Sequence, residues 1–196
     1  MHHPIMRQTT SISCLAACLI TVLQRRGYEA NPLEEMAFLT AGTTFTRDDY
    51  TTGHAVHACK KHRAIIDQYV EYPAFYRLLA TLPLPDNLRL QQQKITKRFL
   101  KDATHPIIIY IDSFYVNSTF HAPHYVVLER INEETVTLCD PWDGKRKTVP
   151  TQRLLRSVQS LRNNLKVSPV AILVHKNPTP RLRPRAGVNE RGETTR

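Results

Sequence analysis

The sequence predicts an α+β protein in which a helical first half packs on an antiparallel sheet built from the second half. Two observations carry this. Up to His62, apolar residues recur at helical three- and four-residue spacing. From Pro106 onward the period changes, and short runs rich in Val, Ile and Thr are separated by turn signals. Helices followed by strands, rather than alternating with them, give the α+β order. At 196 residues the chain fits one domain over residues 1–176, with a polar segment 177–196 beyond it.

The first helix begins at Cys14. Ala17, Cys18, Thr21, Val22 and Arg25 share a face, and Gly27 stands where a left-handed C-cap belongs. Ser11 and Ser13 are both candidate N-caps, so Cys14 falls in the first turn. Asn31 and Pro32 open a second helix through Leu39. Residues 41–53, rich in Thr and Asp, read as a loop, and a third helix follows over 53–62. That helix carries His54, His57, His62 and Cys59. Their spacing matches no zinc signature, so they read as partly exposed helix histidines and no metal is expected. Residues 64–70 are a short strand or extended link, and Pro73–Leu82 is a helix. Asp86 then caps a basic amphipathic helix with Leu88, Ile95 and Phe99 inward.

Pro106–Ile111 is a buried strand by its β-branched content, and His124–Ile131 is a second. The turn Asn132-Glu133-Glu134 leads into Thr135–Asp140, making a hairpin. Pro141-Trp142-Asp143-Gly144 turns into a strand over 145–149. A helix over 150–163 buries Leu154, Leu155, Val158 and Leu161, and Val170–Val174 closes as the last strand. Residues 177–196 have Pro, Gly and charge without apolar periodicity, the composition of a disordered tail.

Composition narrows the function classes. No apolar run approaches the ~20 residues of a membrane span, and Met1–Arg7 has no apolar h-region, which points to the cytoplasm. The four cysteines form no CxxC pair, in keeping with a reducing compartment. The net charge of +10 invites a nucleic-acid partner, but residues 176–196 supply +4 of it and the remainder is scattered. Without the aromatic interleaving of a single-strand binder, nucleic acid ranks last among the partners. An acidic protein docking on the basic tail ranks above it.

The chemistry gathers on four residues. A thiol in the first turn of a helix feels the positive end of the helix dipole, which favours its thiolate. A Cys there is more often small buried filler, so the reading depends on a His and an orienting acid elsewhere. His124 opens one strand of the hairpin and Asp140 ends the other. A tight turn places Asp140 opposite Tyr125, beside His124, which gives a base and its orienter. Gln8 carries an amide just upstream of Cys14, suited with the Cys14 backbone N–H to an oxyanion hole. His121 is a rival base; His124 is favoured because it opens the strand directly.

The block Gln8…Cys14-Leu15-Ala16-Ala17-Cys18-Leu19, then Gly53 with its helix, Pro106-Ile107, His124-Tyr125-Val126-Val127-Leu128 and Asp140-Pro141-Trp142-Asp143-Gly144 resembles the bacteriocin-processing, double-glycine cysteine peptidases. These are papain-like proteins, often the N-terminal domain of an ABC exporter, that cut leader peptides after Gly-Gly. The resemblance spans about residues 5–175. It implies a papain-like fold, Cys14 as nucleophile, His124 as base, Asp140 as its orienter and Gln8 in the oxyanion hole, with no cofactor and a peptide or protein substrate. Three departures stand out. Ser13-Cys14-Leu15 replaces the family's Asp-Cys-Gly, and Leu15 is expected to reshape the cleft. Residues 112–123 look inserted, as a candidate lid. No transporter follows, so a stand-alone thiol hydrolase of peptide or isopeptide bonds is expected. A deamidase or acyltransferase with the same triad, and a catalytically inactive peptide-binding module, are the alternatives.

Overall fold

Helix α1 spans Cys14–Arg25 in the computed structural model, which describes residues 5–45, 50–118 and 120–178. It is followed by α2 (Glu35–Phe45), α3 (Tyr50–His62), β1 (Ile66–Val70), α4 (Pro73–Leu79), β2 (Leu88–Gln92) and α5 (Lys97–Asp102). The second half holds β3 (Ile107–Asp112), α6 (Phe114–Asn117), β4 (Pro123–Ile131), β5 (Thr135–Asp140), β6 (Lys145–Pro150), α7 (Thr151–Asn163) and β7 (Val170–Val174). The expected first helix ends as its sequence requires. Gly27, at φ +89°, lets its N–H reach Gln24 O and the Tyr28 N–H reach Leu23 O, the paired bonds of a Schellman cap. Asn31 caps the next turn through a 2.9 Å bond from Leu33 N–H, although that turn is 3-10 (Pro32–Glu34) and leads into α2.

The strands form one sheet in the order β2-β1-β7-β3-β4-β5-β6. It is antiparallel except for β1 beside β2. The expected meander is present as β3-β4-β5-β6, while β7 returns to sit between β1 and β3. Both faces are covered. Ile108, Tyr125, Val127, Cys139 and Ile172 pack with α1 and α3, whereas Ile107, Ile109, Val126, Leu128 and Leu138 pack with α7. That two-sided burial explains the unbroken apolar run of β3, since alternate residues face different but equally dry layers.

Several expectations are corrected. The Thr-rich stretch 41–53 is mostly helical: α2 continues to Phe45 and α3 begins at Tyr50, with 46–49 outside the described residues. The Asp86-capped helix does not form. Leu88–Gln92 instead extends the sheet beside β1, and only Lys97–Asp102 is helical, capped by Thr96 Oγ1 accepting from Phe99 N–H. Backbone pairing with β1 outcompetes a basic helix holding so few apolar residues. Leu88 and Ile95 are nevertheless buried, as that helix would have made them. α4 stops at Leu79 and α7 starts at Thr151, with Leu155 only partly buried. His54 is fully buried rather than partly exposed. Asn177, expected to begin the tail, is bonded to the end of α1, its N–H to Arg26 O at 2.9 Å and its Nδ2 to Gly27 O at 3.3 Å. Residues 179–196 lie outside the described residues, as do 1–4 and 119.

Candidate active site

Helix α1 lies along β4 in the same direction. Cys14 stands within electrostatic reach of the His124 ring, the Cys18 thiol donates to Tyr125 O, and Arg25 pairs with Glu129 at 2.6 Å. The spacing follows from elementary geometry. Helix residues rise about 1.5 Å each and strand residues about 3.3 Å, so Cys14 to Arg25 and His124 to Glu129 both span about 16 Å. Ser13 stands at the N-cap but makes no side-chain cap bond, its hydroxyl instead donating to Thr10 O. Cys14 therefore sits in the first turn, as expected, without the serine cap.

Asp140 is brought to His124 by a bulge. The β4–β5 register pairs Ile131 with Val136 and Arg130 with Thr137, then shifts past Glu129 to pair Leu128 with Leu138 and Val127 with Cys139. One step on, Asp140 stands level with Val126, not Tyr125, and so on the same face as His124. Without the extra residue it would stand level with Val127 and face the other layer, because a one-residue slip reverses every side chain. The resulting bond joins His124 Nε2 to Asp140 Oδ1 at 2.8 Å. This leaves Nδ1 as the ring nitrogen for Cys14.

Both groups are almost without solvent, His124 at 6% exposure and Asp140 at 0%. Burial works against the charged imidazole, but hydrogen bonds and charge from Asp140 and Cys14 outweigh it and raise His124 to about 9. Burial likewise opposes the Asp140 carboxylate. His124, Lys147 and the Trp142 N–H overcome that and hold it well below the usual carboxylate range. Burial pushes three thiols up: Cys18 well up, Cys59 to about 12 and Cys139 to about 11. All four cysteines are free.

The segment carrying Gln8 is fixed against both helices and the β5–β6 turn. Met6 N–H bonds Thr21 Oγ1 at 3.1 Å, Thr9 N–H bonds Glu35 Oε1 at 2.8 Å, and Gln8 N–H bonds Pro141 O at 2.8 Å. Gln8 Nε2 donates to Thr10 O at 2.6 Å. An amide NH2 has two hydrogens, so this bond orients the group and leaves a second donor.

Two neighbours are given no role by sequence reasoning. Trp142 meets the His124 ring edge-on, centroids 6.5 Å apart, and its backbone N–H bonds Asp140 Oδ1 at 2.9 Å. The chain's one Trp, following Asp140-Pro141, was the available signal. Lys147 reaches Asp140 Oδ2 and Asn117 Oδ1, both at 2.7 Å, and Asp143 Oδ2 at 3.0 Å. Nothing distinguished it from Lys145 and Arg146 in a basic strand. His121 binds Asp112 Oδ2 at 2.6 Å, and that carboxylate also accepts from Ser160 Oγ. His121 is thus partnered within the 112–123 segment and not with Asp140. Leu15 is 0% exposed, lies in the core and does not line the cavity beside His124.

A cavity of about 490 Å³ opens beside His124. Ile12, Phe120 and Trp142 line it with Asn117 and Lys147, much of the wall coming from the 112–123 segment. Among the described residues no group of three or more His, Cys, Asp or Glu could hold a metal ion, and no helix is long and apolar enough to cross a membrane.

No protein-family model matches the chain, and no curated protein matches it significantly. Solved structures do. A double-glycine-motif protease from an AMS/PCAT transporter, in complex with the leader peptide, aligns at a TM-score of 0.51 and 15% identity, over 89% of this chain and 91% of that one. The peptidase domain of Streptococcus ComA, a bifunctional ABC transporter of a quorum-sensing pathway, aligns at 0.54 and 14% identity, over 90% of this chain and 100% of that one. The likeness extends over nearly the whole of both chains, and what it establishes is the fold: α+β, built as in the papain-like double-glycine peptidase domains.

Proposed function

We propose that this chain is a thiol hydrolase that cleaves a peptide or isopeptide bond, with Cys14 as nucleophile, His124 as base, Asp140 as orienter and Gln8 in the oxyanion hole. The observation that carries it is the placement of His124 between Asp140, bonded to its Nε2 at 2.8 Å, and Cys14, with the imidazole kept charged despite burial. A cationic imidazole beside a thiol in a helix's first turn favours the thiolate. The thiolate attacks the carbonyl carbon, and the developing oxyanion meets the Cys14 backbone N–H, which has no partner within the helix, and the second N–H of Gln8. His124 gives its proton to the departing amine, leaving a thioester on Cys14. Water, deprotonated by the same imidazole, then releases the acid and restores the thiol.

The test is differential. With the purified chain alone, iodoacetamide should label Cys14 faster at neutral pH than Cys18, Cys59 or Cys139, mapped by peptide mass spectrometry. His124→Ala should depress both this labelling and turnover. Gln8→Ala should spare labelling yet lower turnover by about 10²–10³, the usual cost of losing one oxyanion donor. Equal labelling of all four thiols would sink the catalytic reading. Turnover unchanged in Gln8→Ala would remove Gln8 from it.

A further inference from the structure

The cavity beside His124 lies on one definable side of the reaction, given Cys14 as nucleophile and His124 as base, and this inference rests on that reading. After attack the acyl half of the substrate stays bonded to Cys14. The leaving amine must come within reach of the imidazole, which protonates it. The departing half therefore lies over His124. The cavity walls include His124 and Trp142 but neither Cys14 nor Gln8. It is placed to receive the leaving half and not the acyl half.

Its chemistry narrows the occupant. Ile12, Phe120 and Trp142 are 60%, 57% and 47% exposed, so three of the large apolar side chains left in solvent among the described residues gather at this one opening. Such clustering marks a binding surface more than scattered exposure does. The charged groups in the wall answer each other. Lys147 and the charged His124 are answered by Asp140 and Asp143, which leaves the cavity no net charge to offer. A volume of about 490 Å³ lies in the ligand-pocket range of about 300–1,000 Å³. It is far more than glycine requires.

We propose that the cavity is the subsite for the residue immediately after the scissile bond, and that it selects a bulky uncharged side chain, aromatic or branched aliphatic. Phe120 and Ile12 set this preference. The 112–123 segment thus acts as a specificity wall: Ser113 Oγ donates to Phe120 O at 2.9 Å, and Ser113 N–H donates to Ala122 O at 2.9 Å, fixing the Phe120 backbone.

The test is a mixed-sequence peptide library digested by the wild-type chain, with Cys14→Ala as blank and new N-termini read by mass spectrometry. New N-termini should begin with Phe, Tyr, Trp, Leu, Ile or Met at about tenfold or more over charged residues, the discrimination an apolar pocket supplies. Phe120→Ser and Ile12→Ser should each flatten that preference. Both side chains are more than half exposed, so neither change empties the core. Cleavage without an apolar preference, or a preference untouched in both variants, overturns this inference alone. Absence of any Cys14-dependent cut overturns the hydrolase reading and this inference with it.

Discussion

A buried imidazole ordinarily gives up its proton, and His54 shows it: with only the Tyr50 carbonyl for support, burial drives it down to about 4. His124 is buried nearly as well, yet Asp140 and Cys14 raise it to about 9. The pH dependence follows from these directions. His124, raised above its ordinary value of 6.5, contributes stability fully below that value and loses it as pH climbs through about 9. Asp140, held below its ordinary 3.8, contributes above that value and stops only as pH falls through its lower folded one. In the Cys14→Ala variant, the His124 titration followed by NMR should move below about 9, because two of the influences raising it come from the thiol. Asp140→Asn should lower it again, since burial then faces one partner fewer. An unmoved titration in Cys14→Ala would mean that the thiol does not engage the ring. At this scale the sequence was informative where residue type declares chemistry, as at Cys14, His124 and Asp140. It was silent on Lys147, whose significance comes only from what folding places beside it.

Elements were legible where local rules act alone. The Gly27 cap, the Asn132 turn and the strands β3, β5 and β7 need only backbone preference and apolar runs. The misread segments are those settled by tertiary contact. Residues 41–45 and 50–52 carry loop-like Thr, yet α2 and α3 form there because Gly42 and Gly53 let them meet at backbone distance. A Cβ on Gly53 would stand 2.7 Å from Ala41 O and 2.8 Å from Gly42 Cα, atoms that cannot rotate away. Gly53→Ala should therefore destabilise the protein by about 1–3 kcal/mol, the range for overpacking, although alanine is the better helix former. Urea unfolding measures this, and a stabilised variant would show that the helices are not in such contact. The bulge at Glu129 lies beyond local reading for the same reason. It is held by Arg25 at 2.6 Å and by Arg146, and it alone turns Asp140 toward His124. A tight hairpin register extrapolated from Asn132-Glu133-Glu134 contains no sign of it.

For the whole molecule, the sheet carries helices on both faces, and the last hydrogen bonds among the described residues are those of Asn177 at the end of α1. The boundary between body and tail was read from composition at 177. The structure places Asn177 against the end of α1, through its backbone N–H to Arg26 O and its side chain to Gly27 O, contacts that carry no apolar signal in the sequence. Residues 179–196 keep the features that suggested a tail: five Arg, two Glu, two Pro and no helical or strand period. Truncation after Pro178 should leave the melting temperature and the rate of Cys14 alkylation unchanged, since Asn177 remains. Truncation after Lys176 should lower the melting temperature, as it strips two hydrogen bonds from the C-terminus of α1, each contributing about 0.5–1.5 kcal/mol. Cys14 lies at the opposite end of that helix, so its alkylation rate at 25 °C should still hold. Retention of an acidic partner by the full chain at low salt, lost both at high salt and on removal of 179–196, would identify the segment as a docking arm. A fall in melting temperature as large after Pro178 as after Lys176 would instead place the stabilising contacts beyond Pro178, and the basic segment would belong to the folded body.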